Sequence, residues 1–187
     1  MSRDSQRHYT VDDYFTVEEM SAVKHEYFSG EIFAMAGASL AHNEIAANIL
    51  AAFRMGLRNT ECGAYGSDLR VQSPAGLYTY PDVSVICGPV QLLPDRSDTA
   101  TNPVILVEVL SDATEEYDRG DKFRLYQSIP TLRHYILVSQ TEILVDHFYR
   151  TQQNQWQSRT LRSLSENIQI AEPALDINLS EIFRRVF

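Results

Sequence analysis

Polar oxygens and apolar residues recur along this chain at spacings that mark out its elements. Thr10 and Asp13 in TVDDYFTVEEMSA form a predicted capping box, each oxygen taking an orphan amide, and the helix they open is expected to end near Ala22. KHEYF and EIFAMAG are aromatic-rich runs around Ser29-Gly30, which predicts a β-hairpin. In SLAHNEIAANILAAFRMGLR, Ile45, Ile49, Ala52 and Phe53 share one side at helical spacing, the clearest helix of the chain.

From Cys62 onward three strand-like runs follow, AYGSDLRVQSP, YPDVSVICG and PVILVEVLS, with residues 88–102 reading as a longer loop. A second helix is predicted over about 118–128, stopping at SIPTL. RHYILVSQ and ILVDHFYR then read as strands, and the C-terminal stretch as edge strands and a closing helix. Helix, strands, helix and strand in this order predict a mixed α/β domain, a central mixed β-sheet flanked by helices, over residues 1–187 with a loose tail at 1–8. The unbroken apolar character of PVILVEVL and HYILV predicts central strands covered on both faces.

One position interrupts that pattern. Glu108 sits among aliphatic residues, sharing a predicted face with Leu106 and Val104, and an unpartnered ionised carboxylate there costs several kcal/mol. It must be protonated, paired with a cation or bound to a metal. Asp82, following Pro81 at the start of the preceding strand, is a candidate partner: neighbouring strands lie ~4.8 Å apart, so two acids on one face can share a divalent ion, and magnesium suits oxygen ligands.

Composition narrows the setting. Net charge is −9 with a pI near 5.0, which argues against a protein that coats nucleic acid through bulk electrostatics but not against a metal site, where carboxylates gather by necessity. Arg54, Arg58, Arg70, Arg119, Lys122 and Arg124 are basic residues available for phosphates. No signal-like N-terminus or membrane-length apolar run is present, so a soluble, cytoplasmic protein is expected. Cys62 and Cys87 lack metal or disulfide-framework spacing and read as two buried thiols.

Asp118, Lys122 and Tyr126 recur every four residues on one helical stripe. Lys122 beside a metal-bound water would orient it or stabilise charge on a phosphate; the same spacing also describes a solvated surface pair worth ~0.3–0.5 kcal/mol.

YPDVSV, LVEVLS and YDRGDKFRLYQSIPTLRHYILVSQ, in that order, resemble the bacterial Uma-two family of endonucleases in the PD-(D/E)XK superfamily, with similarity from about Tyr9 to the end. The resemblance implies a restriction-endonuclease-like core, metal binding by Asp82 and Glu108, and a metal contact from the Val109 carbonyl. Leu110 stands where the motif lysine would be, and the resemblance implies that Lys122 supplies the ammonium from the following helix. HEYFSGEIFAM resembles the family's acidic hairpin, which brings forward Glu26, with Glu31 as runner-up.

His42 reads first as a polar residue at a helix start and second as a phosphate contact. Asp68 reads as a turn residue or an outer support of the site, and Asp112 and Thr114 as turn and cap residues. The leading expectation is a Mg²⁺- or Mn²⁺-dependent hydrolase of DNA phosphodiesters, plausible as a symmetric homodimer. Rivals are a nucleic-acid-binding or regulatory module on the same fold and, more distantly, a two-carboxylate glycosidase, which would survive chelation.

Overall fold

Two large sheets with a broken helix between them, and a third sheet of two strands near the C-terminus, frame the molecule in a computed structural model describing residues 8–187, so the tail expected at 1–8 lies outside the described residues except for His8. In chain order the elements begin with α1 (Val11–Met20), β1 (His25–Phe28), β2 (Glu31–Ala34), α2 (Leu40–Gly56), β3 (Cys62–Gly66), β4 (Arg70–Gln72), β5 (Tyr78–Thr79) and β6 (Val83–Cys87). They continue with β7 (Thr99–Ala100), β8 (Ile105–Leu110), α3 (Glu115–Tyr117), a π-helical turn (Asp118–Lys122), α4 (Phe123–Tyr126), β9 (His134–Ser139), β10 (Val145–Arg150) and β11 (Trp156–Leu161). β12 (Asn167–Ile170), β13 (Leu175–Asn178) and α5 (Leu179–Ile182) close the chain.

The larger sheet has the order β11-β10-β9-β8-β6-β3 and is antiparallel except for β8 and β9, which run parallel. A parallel pair needs a crossover, and the helical segment from Glu115 to Tyr126 supplies it. Every residue of β8 and β9 is buried, as their aliphatic runs predict. On one face Val83, Val85, Ile105, Val107, Val109, Ile136 and Val138 pack against Ile45, Ile49 and Phe53 of α2. On the other, Leu106, Leu110, Tyr135 and Leu137 meet Phe123 and Tyr126, together with Val71 and Leu77 from the region of the second sheet. That smaller sheet has the order β2-β1-β5-β4-β7.

Local chemistry accounts for the element ends. The Thr10–Asp13 capping box forms, with Thr10 Oγ1 accepting from Asp13 N at 3.1 Å and Asp13 accepting from Thr10 N at 2.8 Å. The hairpin turn places Ser29 at φ 52° and Gly30 at φ 86°, the pair of left-handed residues that two-residue hairpins require. α2 is capped by Ser39, whose hydroxyl accepts from His42 N.

Several expectations are corrected. Cys62 and Cys87 are not two buried thiols: they face each other in the β3–β6 register, form a disulfide, and are only half-buried. Sequence spacing cannot show a pairing that cross-strand register creates. AYGSDLRVQSP is not one strand, because the turn after Gly66 sends β3 and β4 into different sheets. The loop at 88–102 contains β7, which pairs parallel with β4. α1 stops at Met20, and the second helix begins at Glu115, passes through a π turn and ends at Tyr126. Val104 precedes β8 and packs with the α2-side core, away from the Leu106 face.

Candidate active site

Glu108 projects from the middle of β8 on the face of Leu106 and Leu110 and is 5 % exposed. Its charge is met from the helix behind it: Lys122 Nζ lies 3.0 Å from Glu108 Oε1, and the Tyr126 hydroxyl donates to the same oxygen at 2.7 Å. The partner that the sequence leaves open is therefore an ammonium within the chain. Lys122 is itself 4 % exposed, so the solvated surface pair is excluded.

Two further acids close around that ammonium. Glu26 Oε1 lies 2.8 Å away and Asp118 Oδ1 3.2 Å away. Glu26 arrives from β1 in the smaller sheet, where the Thr79 hydroxyl of β5 donates to it at 2.5 Å. Asp118 lies one turn before Lys122 across the π-helical segment. The site thus forms where β1 of the smaller sheet, the interior strand β8 of the larger one and the crossover helix meet.

Asp82 stands at the mouth of this cluster, one residue before β6. Its Oδ2 accepts from Val109 N at 2.7 Å, and its Oδ1 is 2.8 Å from His42 Nε2 on the first turn of α2. The register Val83↔Val107, continued by one residue, sets Asp82 against Glu108 on the same sheet face. One more residue back, the partner of Val109 is Pro81, which has no N–H to donate to the Val109 carbonyl, while the Val109 amide donates to the Asp82 carboxylate. Pro-Asp here ends a ladder and aims an acid along its edge.

The cluster holds more acid than its lysine neutralises. Burial pushes the Glu108 carboxyl up to about 8 despite Lys122, with Asp118 and Asp82 adding to the rise. Burial also raises Asp118, opposed by Lys122. For Lys122 burial acts downward, but Glu108, Tyr126, Glu26 and Asp118 outweigh it and hold the ammonium well above the ordinary lysine range. Lys122 is therefore a fixed positive charge.

Among the described residues no three His, Cys, Asp or Glu side chains are gathered as a ready metal site, because Glu26 and Glu108 are turned onto Lys122 and Asp82 onto Val109 and His42. The donor set nonetheless fits a hard divalent cation: it is all oxygen, it carries surplus negative charge, and Val109 turns the N–H and carbonyl of one strand edge towards Asp82.

The structure brings together Glu26, Asp82, Glu108, Val109 and Lys122, and adds His42 through Asp82. Glu31 lies nearer the hairpin turn, opposite Phe28, and is exposed. Asp68 is remote in role, its side chain 97 % exposed and paired with Lys24. Asp118 and Tyr126 complete the cluster, and the four-residue spacing with Lys122 is the signal that could have found them. Of the basic residues named as phosphate contacts, Arg70 is buried against Glu18 and Asp98, Arg119 pairs with Glu115 and Asp146, and Arg124 with Asp121.

Comparison with known proteins agrees with this architecture. Residues 11–180 match the Uma2 family, described as "Putative restriction endonuclease". The uncharacterised protein slr1290 of Synechocystis is 38 % identical over 176 residues, covering 92 % of this chain and 90 % of that protein. A second Synechocystis protein, the uncharacterised sll1609, is 32 % identical over 162 residues, covering 86 % and 90 %. The crystal structure of "a putative nuclease belonging to DUF820" from Anabaena variabilis superposes with a TM-score of 0.73 at 14 % identity, over 89 % of this chain and 93 % of that one, a likeness of fold. This chain belongs to the Uma2 family of restriction-endonuclease-like proteins and has its nuclease-like fold.

Proposed function

We propose that the protein hydrolyses phosphodiester bonds in DNA with Mg²⁺ or Mn²⁺ at the Asp82–Glu108–Lys122 cluster. The observation that carries this reading is a surplus of buried carboxylate around one fixed ammonium, at the place where a Pro-Asp step opens a strand edge. Asp82, Glu108 and the Val109 carbonyl would hold the cation. When bound, it supplies an acidified water able to attack at neutral pH and a Lewis acid for the phosphate.

The chain's own groups do the positioning. Tyr126 fixes one oxygen of Glu108, and His42 and the Val109 amide fix both oxygens of Asp82. Lys122 keeps its proton, so it donates hydrogen bonds and stabilises negative charge building on the phosphate, and is not the base. Glu26 and Asp118 keep that ammonium in place.

Supercoiled plasmid tests this. Metal-dependent nicking, lost in EDTA and reduced at least a hundredfold in Asp82→Asn and Glu108→Gln with unchanged circular dichroism, is the expected result. Cleavage that survives chelation or both substitutions would overturn it. A second reading, a binding module without efficient cleavage, draws on the carboxylates being engaged by Lys122 and His42. Calorimetry showing no Mg²⁺ or Mn²⁺ uptake at millimolar concentration is its expected signature.

A further inference from the structure

The hairpin that delivers Glu26 has two faces. Tyr27 and Ile32, opposite each other, turn inwards and pack with Tyr14 and Tyr78. Glu26 and Phe33 form the adjacent opposed pair and so lie on the other face, the one that reaches Lys122. Phe28, also on that face, is taken into the core between the sheets; Phe33 is not, and remains 48 % exposed beside the catalytic cluster. Among the described residues this large aromatic side chain joins no core cluster, and it stands one cross-strand step from a site carboxylate.

A second aromatic residue approaches from the crossover helix. Tyr117, partly exposed, directly precedes Asp118, and its ring centroid is 5.9 Å from Lys122 Nζ. Burial raises its hydroxyl above the ordinary tyrosine value, with Glu26 adding to the rise and Lys122 opposing it. The carboxylate cluster is thus approached by one ring from β2 and another from α3.

Backbone charge does not distinguish the two forms of DNA: the chain carries a net charge of −9, with Arg70, Arg119 and Lys122 held in ion pairs and Arg54, Arg58 and Arg124 exposed. Rings do distinguish them: they bind nucleic acid by stacking on bases, and a base offers its face only when unpaired.

We infer that Phe33 and Tyr117 form a base-stacking rim on this site, and that the DNA it takes is single-stranded or locally unpaired. This rests on the nuclease reading for the identity of the ligand. Removing one stacked ring weakens binding about tenfold, whereas a paired base must first be extruded from its stack before it can use the rim.

The test is equilibrium binding of fluorescein-labelled oligonucleotides by the full chain in EDTA, comparing a single strand, a mismatched bubble and the perfect duplex of one sequence. Single strand and bubble are expected to bind at least tenfold tighter than duplex, with 2-aminopurine fluorescence quenched on binding. Phe33→Ala and Tyr117→Ala should each weaken single-strand binding about tenfold and relieve the quench, while Phe33→Trp and Tyr117→Phe retain both. Equal or tighter duplex binding, no binding of any strand, or indifference to both alanine variants would sink the inference. Ring-dependent binding without metal-dependent cleavage would leave it standing and refute the nuclease reading; nicking of duplex without single-strand preference would do the reverse.

Discussion

At the scale of single residues the cluster is a problem of charge placed out of water. Lys122 holds three carboxylates together, and removing one partner of a buried ion network leaves charges that neither solvent nor protein compensates. Lys122→Ala is therefore expected to lower unfolding free energy by ~3–5 kcal/mol, measured by urea denaturation. Glu108 gives a pH signature. Its folded carboxyl is raised to about 8 from an ordinary value of 4.5, so the folded state binds the extra proton between these values. Its contribution is fully present below about pH 4.5 and is lost as pH rises through 8. In EDTA, wild type should lose stability across that window relative to Glu108→Gln; parallel curves for the two proteins would refute the assignment.

The elements matter by how they aim these residues. The hairpin must hold its register for Glu26, rather than Tyr27, to face Lys122, because a one-residue slip turns every side chain over. Gly30, at φ 86°, secures the turn, and a Cβ there would come 1.9 Å from His8 Nδ1. Gly30→Ala should cost ~1 kcal/mol or more and lower cleavage more than binding of metal, since Asp82 and Glu108 do not depend on the hairpin. Thermal melts and metal titration of the same variant check both halves. The crossover helix was legible as a stripe of Asp118, Lys122 and Tyr126, but its π turn was not: an extra residue per turn leaves no mark in a four-residue spacing.

Across the whole molecule, two features far apart in sequence set its response to solution conditions. His134 and His147 meet in the register of β9 and β10, with Nδ1 and Nε2 2.9 Å apart. Burial lowers His134 to about 4 and His147 to about 3; Arg133 pushes His134 the same way, and His134 and Arg159 push His147. Their folded values lie below the ordinary 6.5, so their stabilisation is complete above pH 6.5 and is lost as pH falls towards 3. His147→Phe should flatten that acid limb in melts followed by circular dichroism. The Cys62–Cys87 disulfide joins the edge strand β3 to β6 across 25 residues, and its reduction is expected to remove about 3 kcal/mol, read as a lower thermal midpoint in dithiothreitol.

Local rules made much of this protein readable before any coordinates. The Thr10 cap, the Ser29-Gly30 turn, the Ile45–Phe53 stripe and the unbroken apolar run of β8 each follow from interactions within a few residues, so sequence alone determined them. Sequence also marked Glu108, because an acid in an aliphatic strand demands a partner. It could not supply that partner's identity, nor the disulfide or the split of β3 from β4. Those are long-range pairings, fixed by strand register and by the meeting of two sheets at one helix. Asp68 and His42 show the same divide: both are polar residues near turns or helix starts, and only the third dimension sends one to solvent beside Lys24 and the other to Asp82.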